Sequence, residues 1–142
     1  HLQTTGVSRN RKKWERELAT DNTRREAQAV QDAAETLHEN FVRRAFQTDS
    51  ICQLATASPH PVLVCGDFNS LPSSYTYHRL SESLKDGFKT GGHGYMYTYR
   101  YGKRMLRIDY AFHSPELECT DYYSPNLDLC SDHNPVIFTV KY

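Results

Sequence analysis

The chain has no apolar run long enough to cross a bilayer and shows no signal peptide. A segment ahead of it could carry either, so location stays open. It has no net charge: 17 basic residues balance 17 acidic ones, and no global field draws it to nucleic acid or to a membrane. No C-x-x-C pair occurs among its four cysteines, Cys52, Cys65, Cys119 and Cys130, which argues against a structural zinc site. Cys65 lies in an apolar run and reads as a small core residue. Cys119 and Cys130 flank a loop, and the sequence leaves their pairing open. There is no internal repeat and no low-complexity stretch. The 142 residues fit one ordinary domain.

What is present divides into three stretches. Residues 1–20 read as a loop and a short helix around Trp14, with Arg9, Arg11, Lys12 and Lys13 as a solvated charge run. Residues 21–58 read as one long helix, capped by Asp21 or Asn22. Its apolar stripe is Ala27, Val30, Ala34, Leu37, Phe41, Ala45, Cys52 and Ala55. Proline ends it at Ser58-Pro59-His60-Pro61. Residues 59–142 carry short apolar or alternating runs. Strands are expected over 61–65, 107–112, 117–123 and 136–140, with a further short one within 85–90. The alternation of Tyr95 to Tyr101 predicts another. Residues 75–84 read as a short helix. In 117–123, Leu117, Cys119, Asp121 and Tyr123 are expected on one face.

Three polar blocks sit at the edges of these runs: Gly66-Asp67-Phe68-Asn69, Arg107-Ile108-Asp109-Tyr110 and Ser131-Asp132-His133-Asn134. In an α/β protein, strand ends are where catalytic groups reach solvent. Together the blocks supply Asp67, Asn69, Asp109, Asp132 and His133, a set able to hold a divalent cation, orient a base and stabilise an anion. A single Gly-Asp turn is common and explains itself by local hydrogen bonding. Three blocks in order are a more specific signal. His60, His78 and His113 have no partner motif and read as structural or exposed.

The blocks GDFNS, RIDYAF and SDHNPV, in this order, resemble the signatures of the endonuclease/exonuclease/phosphatase superfamily, the fold of deoxyribonuclease I. The resemblance covers roughly Pro61 to Tyr142, and His1-Leu2-Gln3 is similar to an earlier N-T-H-L block cut short. It implies an α/β fold: the C-terminal half of a sandwich, mostly antiparallel sheet packed by the long helix. The family's first-half motifs, an asparagine at a strand end and a metal-binding glutamate in a Q-E block, have no counterpart here. No methionine opens the chain, and His1 falls inside a motif, so the expectation is the C-terminal part of a larger protein.

The same resemblance implies a metal-dependent phosphoric ester hydrolase, with the fragment inactive by itself. His133 and Asp109 are expected as a dyad, with the carboxylate fixing the imidazole tautomer. Asp67 is expected to orient water or phosphate, Asn69 to donate an amide hydrogen to the transition state, and His1 to contact phosphate or leaving group. Asp132 is the expected metal ligand, for magnesium or manganese, held weakly in the fragment. Arg100, Lys103 and His93 are the expected substrate contacts. They lie in or beside 89–107, which holds five basic and no acidic residues among alternating tyrosines. Expected partners are a phosphate ester (nucleic acid, lipid headgroup or nucleotide), the missing N-terminal half of the domain, and a second copy through an exposed sheet face. The competing reading is a non-catalytic binding or structural module that keeps the fold.

Overall fold

The computed structural model describes Leu2 and residues 23–101, 103–127 and 130–142. His1, the helix expected around Trp14, the basic run from Arg9 and the caps Asp21 and Asn22 lie outside the described residues. The chain forms two compact units, His1–Leu2 with Gln47–Tyr142, and Gln3–Phe46. The long helix α1, Thr23–Ala57, runs through both.

In the smaller unit, α1 carries surface pairs one turn apart: Gln28 Nε2 donates to Asp32 Oδ1 at 2.9 Å and Gln31 Nε2 to Glu35 Oε1 at 3.0 Å. Such pairs stabilise a helix modestly. The expected apolar stripe is buried only toward the C-terminal part of α1: Ala27, Val30, Ala34 and Phe41 are exposed, Leu37, Ala45 and Ala55 are half-buried, and Cys52 is buried. Cys52 also ends a buried row of Asn40, Arg44, Thr48 and Cys52, spaced four apart and running from the smaller unit into the larger, three of them polar and so unmarked by a hydrophobic count. The expected stop before Pro59 is where α1 ends, at Ala57.

In the larger unit the elements are β1 Leu63–Asp67, α2 Tyr75–Ser81, β2 Lys85–Asp86, α3 Gly87–Gly91, β3 Asp109–His113, β4 Glu118–Tyr123 and β5 Ile137–Lys141. The strands form two antiparallel sheets rather than one: a three-stranded sheet in the order β1-β3-β2, and the pair β4-β5. Strand β3 is central and buried on both faces. Tyr110 and Phe112 enter one core with Phe68, Tyr77 and Leu80. Ala111, on the other face, meets Met96, Cys119 and Tyr122. Phe68 packs edge-on against Tyr110 at 5.6 Å and Phe112 at 5.9 Å. The last turns of α1 close the first core through Ile51, Cys52 and Ala55.

The short strand expected within 85–90 is Lys85–Asp86, and Asp86 then caps α3 by accepting from Phe88 N at 3.0 Å. Other local expectations are corrected. Residues 95–101 form no strand. The alternation is real, since Met96 and Thr98 are buried and the tyrosines are not. The backbone, however, splits its pairing at Tyr99 between Leu106 and His133. In β4 the register shifts between Cys119 and Asp121, so the buried residues are Cys119 and Tyr122 instead of every second one. Cys65 is exposed, because it occupies a face of β1 that the first core does not use. Cys119 and Cys130 are both free thiols, one buried and one exposed, and do not pair. His113 is buried, bonded to Thr90 Oγ1 at 3.1 Å and to Ser114 O at 2.9 Å, a structural role.

Candidate active site

The antiparallel register of β1 and β3 places Asp67 directly opposite Asp109. The end of one strand thus adjoins the start of the other, and two carboxylates meet at half-buried depth. After Asp67 the chain sends Phe68 into the core and turns at Asn69, whose φ of 47° is a left-handed conformation asparagine tolerates. Asn69 then binds Asp67 twice: its backbone N donates to Oδ1 and its Nδ2 to Oδ2, both at 2.8 Å. Nδ2 also reaches Leu2 O at 3.3 Å. In this arrangement Asn69 fixes the Asp67 carboxylate, rather than holding its amide free for a substrate.

The third block arrives by a different route. Ser131 Oγ accepts from His133 N at 3.1 Å, which turns the chain. Arg100 holds that turn from outside: its N donates to Asp132 O at 2.8 Å and its Nη1 to Ser131 O at 2.9 Å. His133 Nδ1 then lies 2.8 Å from Asp109 Oδ2, and the Tyr99 ring stands edge-on to the imidazole at 5.2 Å. With the Nδ1 proton donated to Asp109, Nε2 is left as the basic nitrogen.

Burial opposes charge on His133. The hydrogen bond and charge of Asp109, helped by Asp67 and Asp132, outweigh it and raise His133 above the ordinary imidazole value. Asp109 is also raised. Burial is the main cause and the charge of Asp67 adds to it; hydrogen bonds from Thr98 and His133 work the other way.

Asp67, Asp109 and His133 each offer a ligand atom, all within 4.8 Å of one another. The set fits a divalent cation. Like charges placed opposite across a ladder destabilise it, and a cation between the carboxylates removes that repulsion while supplying the hard-oxygen environment it prefers. Beside the cluster is a cavity of about 230 Å³, lined by Asp67, Asp109 and Asn134 among others. Asn134 is buried there with neither amide atom hydrogen-bonded. An orphaned amide of this kind marks a place for a water or ligand.

Of the residues expected from the sequence, the structure brings together Asp67, Asn69, Asp109 and His133. Asp132 is exposed beside them and outside the three-ligand cluster. His1 lies outside the described residues. Arg100 joins the site through the Ser131–Asp132 turn. Lys103 is exposed at a left-handed φ of 62°, and His93 is exposed on its glycine-rich turn. Arg107 leaves the basic surface altogether: its guanidinium is buried on Asp86 at 2.9 Å.

Three supporting residues are absent from the expected site set, although Tyr110 and Asn134 stand within its motif blocks. Tyr110 Oη lies 2.8 Å from Ser70 O and 2.7 Å from Arg107 O, tying the Asp67 loop to the approach of β3. Asn134 lines the cavity. Thr98 Oγ1 accepts from both Ile108 N and Asp109 N at 3.0 Å. The one available signal for Thr98 was its inward phase in the tyrosine alternation.

Residues 10–133 match the Endonuclease/Exonuclease/phosphatase family. The chain belongs to this family. Solved structures share its fold. An endonuclease/exonuclease/phosphatase from Bacteroides vulgatus is 26% identical with a TM-score of 0.58, over 72% of this chain and 44% of that one. A functionally unknown conserved protein from Enterococcus faecalis V583 is 18% identical with a TM-score of 0.63, over 71% and 45%. A mannosyl-6-phosphatase from Bacteroides thetaiotaomicron is 22% identical with a TM-score of 0.52, over 73% and 46%. No curated protein matches the sequence. This endonuclease/exonuclease/phosphatase chain spans less than half the length of these structures. Among its described residues no helix is long and apolar enough to cross a membrane.

Proposed function

We propose that this chain carries half of the active site of a metal-dependent phosphoric ester hydrolase. The observation that supports this best is the Asp67–Asp109–His133 cluster, formed where two family motifs meet in register and a third closes over them. His133, oriented through Nδ1 by Asp109, presents Nε2 to accept or return a proton. Asp67, fixed by Asn69, orients a water or a phosphoryl group. A divalent cation, magnesium or manganese, would be held by Asp67 and Asp109 with Asp132 nearby, and when bound it polarises phosphoryl oxygens and stabilises charge. A manganese titration of the chain followed by NMR tests this. The resonances of Asp67, Asp109 and His133 should broaden first, at millimolar metal, since two carboxylates make a weak site. Broadening confined to other acidic residues would contradict it.

The proposal extends to the complete domain. Alone, this chain should hydrolyse phosphoesters slowly or not at all, its site completed by the N-terminal half. Leu63, Tyr123 and Ile137 are exposed strand residues suited to that contact, or to self-association in its absence.

The substrate is read as anionic beyond its scissile phosphate. Arg100, Tyr101 and Arg104 line an open recess of about 710 Å³ that ends on Ser131 and Asp132, next to His133. In the complete enzyme, Arg100→Ala and Lys103→Ala should raise KM several-fold with little change in kcat, and flatten the salt dependence. Parental KM and salt response in both variants would place substrate recognition elsewhere.

A further inference from the structure

We propose that Thr98 is the positioning residue of the Asp109–His133 pair, a single buried side chain that sets the strand bearing one partner against the turn bearing the other. Strand β2 pairs with β3 only at Phe112 and His113, so the start of β3 has no strand neighbour on that side. The Thr98 hydroxyl takes its place, accepting the N–H groups of Ile108 and Asp109 at 3.0 Å each. The two acceptor sites of the hydroxyl thus both serve the approach to one residue, and Thr98 also favours the charged form of the Asp109 carboxylate.

The backbone of Thr98 does the rest. Its carbonyl accepts from Asn134 N at 2.7 Å, one residue beyond His133, and its N donates to Leu106 O at 2.9 Å. The next residue, Tyr99, bridges to His133 and to Leu106. Thr98 itself has no exposed surface. Its hydroxyl therefore grips the aspartate while its main chain grips the histidine turn. Valine has the same shape without the hydroxyl; it would leave two buried N–H groups unmet at the start of β3. Serine keeps every one of these bonds.

The placement stands on this geometry; its consequence for hydrolysis rests on the catalytic reading of the pair. The test is proton NMR on the full chain. In the parent, the His133 Nδ1 proton should give a downfield, slowly exchanging signal, and the buried Thr98 hydroxyl proton should be visible with a cross-peak to the Asp109 amide. Thr98→Ser should keep the His133 signal and Thr98→Val should lose it, with the remaining amide spectrum preserved. An unchanged His133 signal in Thr98→Val would overturn the proposal. Should that variant fail to fold, the parent decides: no protected Thr98 hydroxyl, or loss of the His133 signal in Thr98→Ser, overturns it equally. In the complete enzyme, Thr98→Val should lower kcat about tenfold to a hundredfold at similar KM, with Thr98→Ser restoring it. Loss of the proton signal without loss of turnover would support the positioning and sink the catalytic reading instead.

Discussion

Replacing His133 with alanine should lower the turnover of the complete enzyme by about 10²–10⁴-fold, the usual range for a lost general acid–base group, and leave KM within a few-fold of the parent. The split follows from the geometry. On the proposed reading, His133, turned by Asp109 at 2.8 Å, transfers a proton, while the recess lined by Arg100 and Arg104 takes the substrate's charge. The pH profile carries a sign. Asp109 raises His133 above its ordinary 6.5, so the unprotonated base becomes available only as pH rises past that raised value. The acidic limb should therefore lie above 6.5 in the parent and move to lower pH in Asp109→Asn, where the stabilising carboxylate charge is gone. Steady-state kinetics across pH check both parts. Equal turnover of His133→Ala and parent would remove the histidine from the mechanism.

The second large effect concerns stability. Asp86→Ala should destabilise the chain by about 3–5 kcal/mol, the usual cost of leaving a buried charge without its partner. Asp86 Oδ2 accepts from Arg107 Nη1 at 2.9 Å and from Tyr77 Oη at 2.7 Å, and Oδ1 accepts from Phe88 N at 3.0 Å. Side-chain exposure is 1% for Asp86 and 9% for Arg107. The guanidinium lies over Tyr110 at 4.6 Å and Phe88 at 4.8 Å, so removing the carboxylate leaves it largely buried among rings. The same change uncaps α3. Because Arg107 leads directly into Asp109, the loss should also loosen the site. Urea unfolding with an unchanged m-value measures it. A cost below about 1 kcal/mol, the level of an exposed pair, would show that the network is not held as described.

The residues that the structure brings together were more legible in the sequence than the framework around them. Asp67, Asp109 and His133 stand in short blocks, each unspecific alone and specific only as an ordered set of three. Their convergence depends on the register of β1 with β3, a pairing between segments far apart in the chain, and no local pattern encodes it. Thr98 was hidden for the opposite reason: it looks like an inward residue of an ordinary alternating strand, and the strand does not exist. The backbone there serves Leu106, Asp132 and Asn134 separately, and a period of two says nothing about which neighbours receive the bonds. Arg107 belongs by composition to the basic segment 89–107, yet Asp86, a buried aspartate outside that segment, draws it inward. The long helix was plain from its length and proline stop, but its buried row runs through asparagine, arginine and threonine. Cys119 and Tyr122 share a core because of one extra residue in β4, which a sequence shows only as a missed beat.

Hydrolysis of a simple phosphoric ester by the complete domain, with and without chelation, tests the central claim most directly. The enzyme should hydrolyse a phosphodiester or phosphomonoester, lose activity in EDTA and regain it with magnesium or manganese, while Asp67→Asn stays inactive at any metal concentration. Hydrolysis that persists in EDTA, or that survives Asp67→Asn, would contradict a metal-dependent site built on these strand ends.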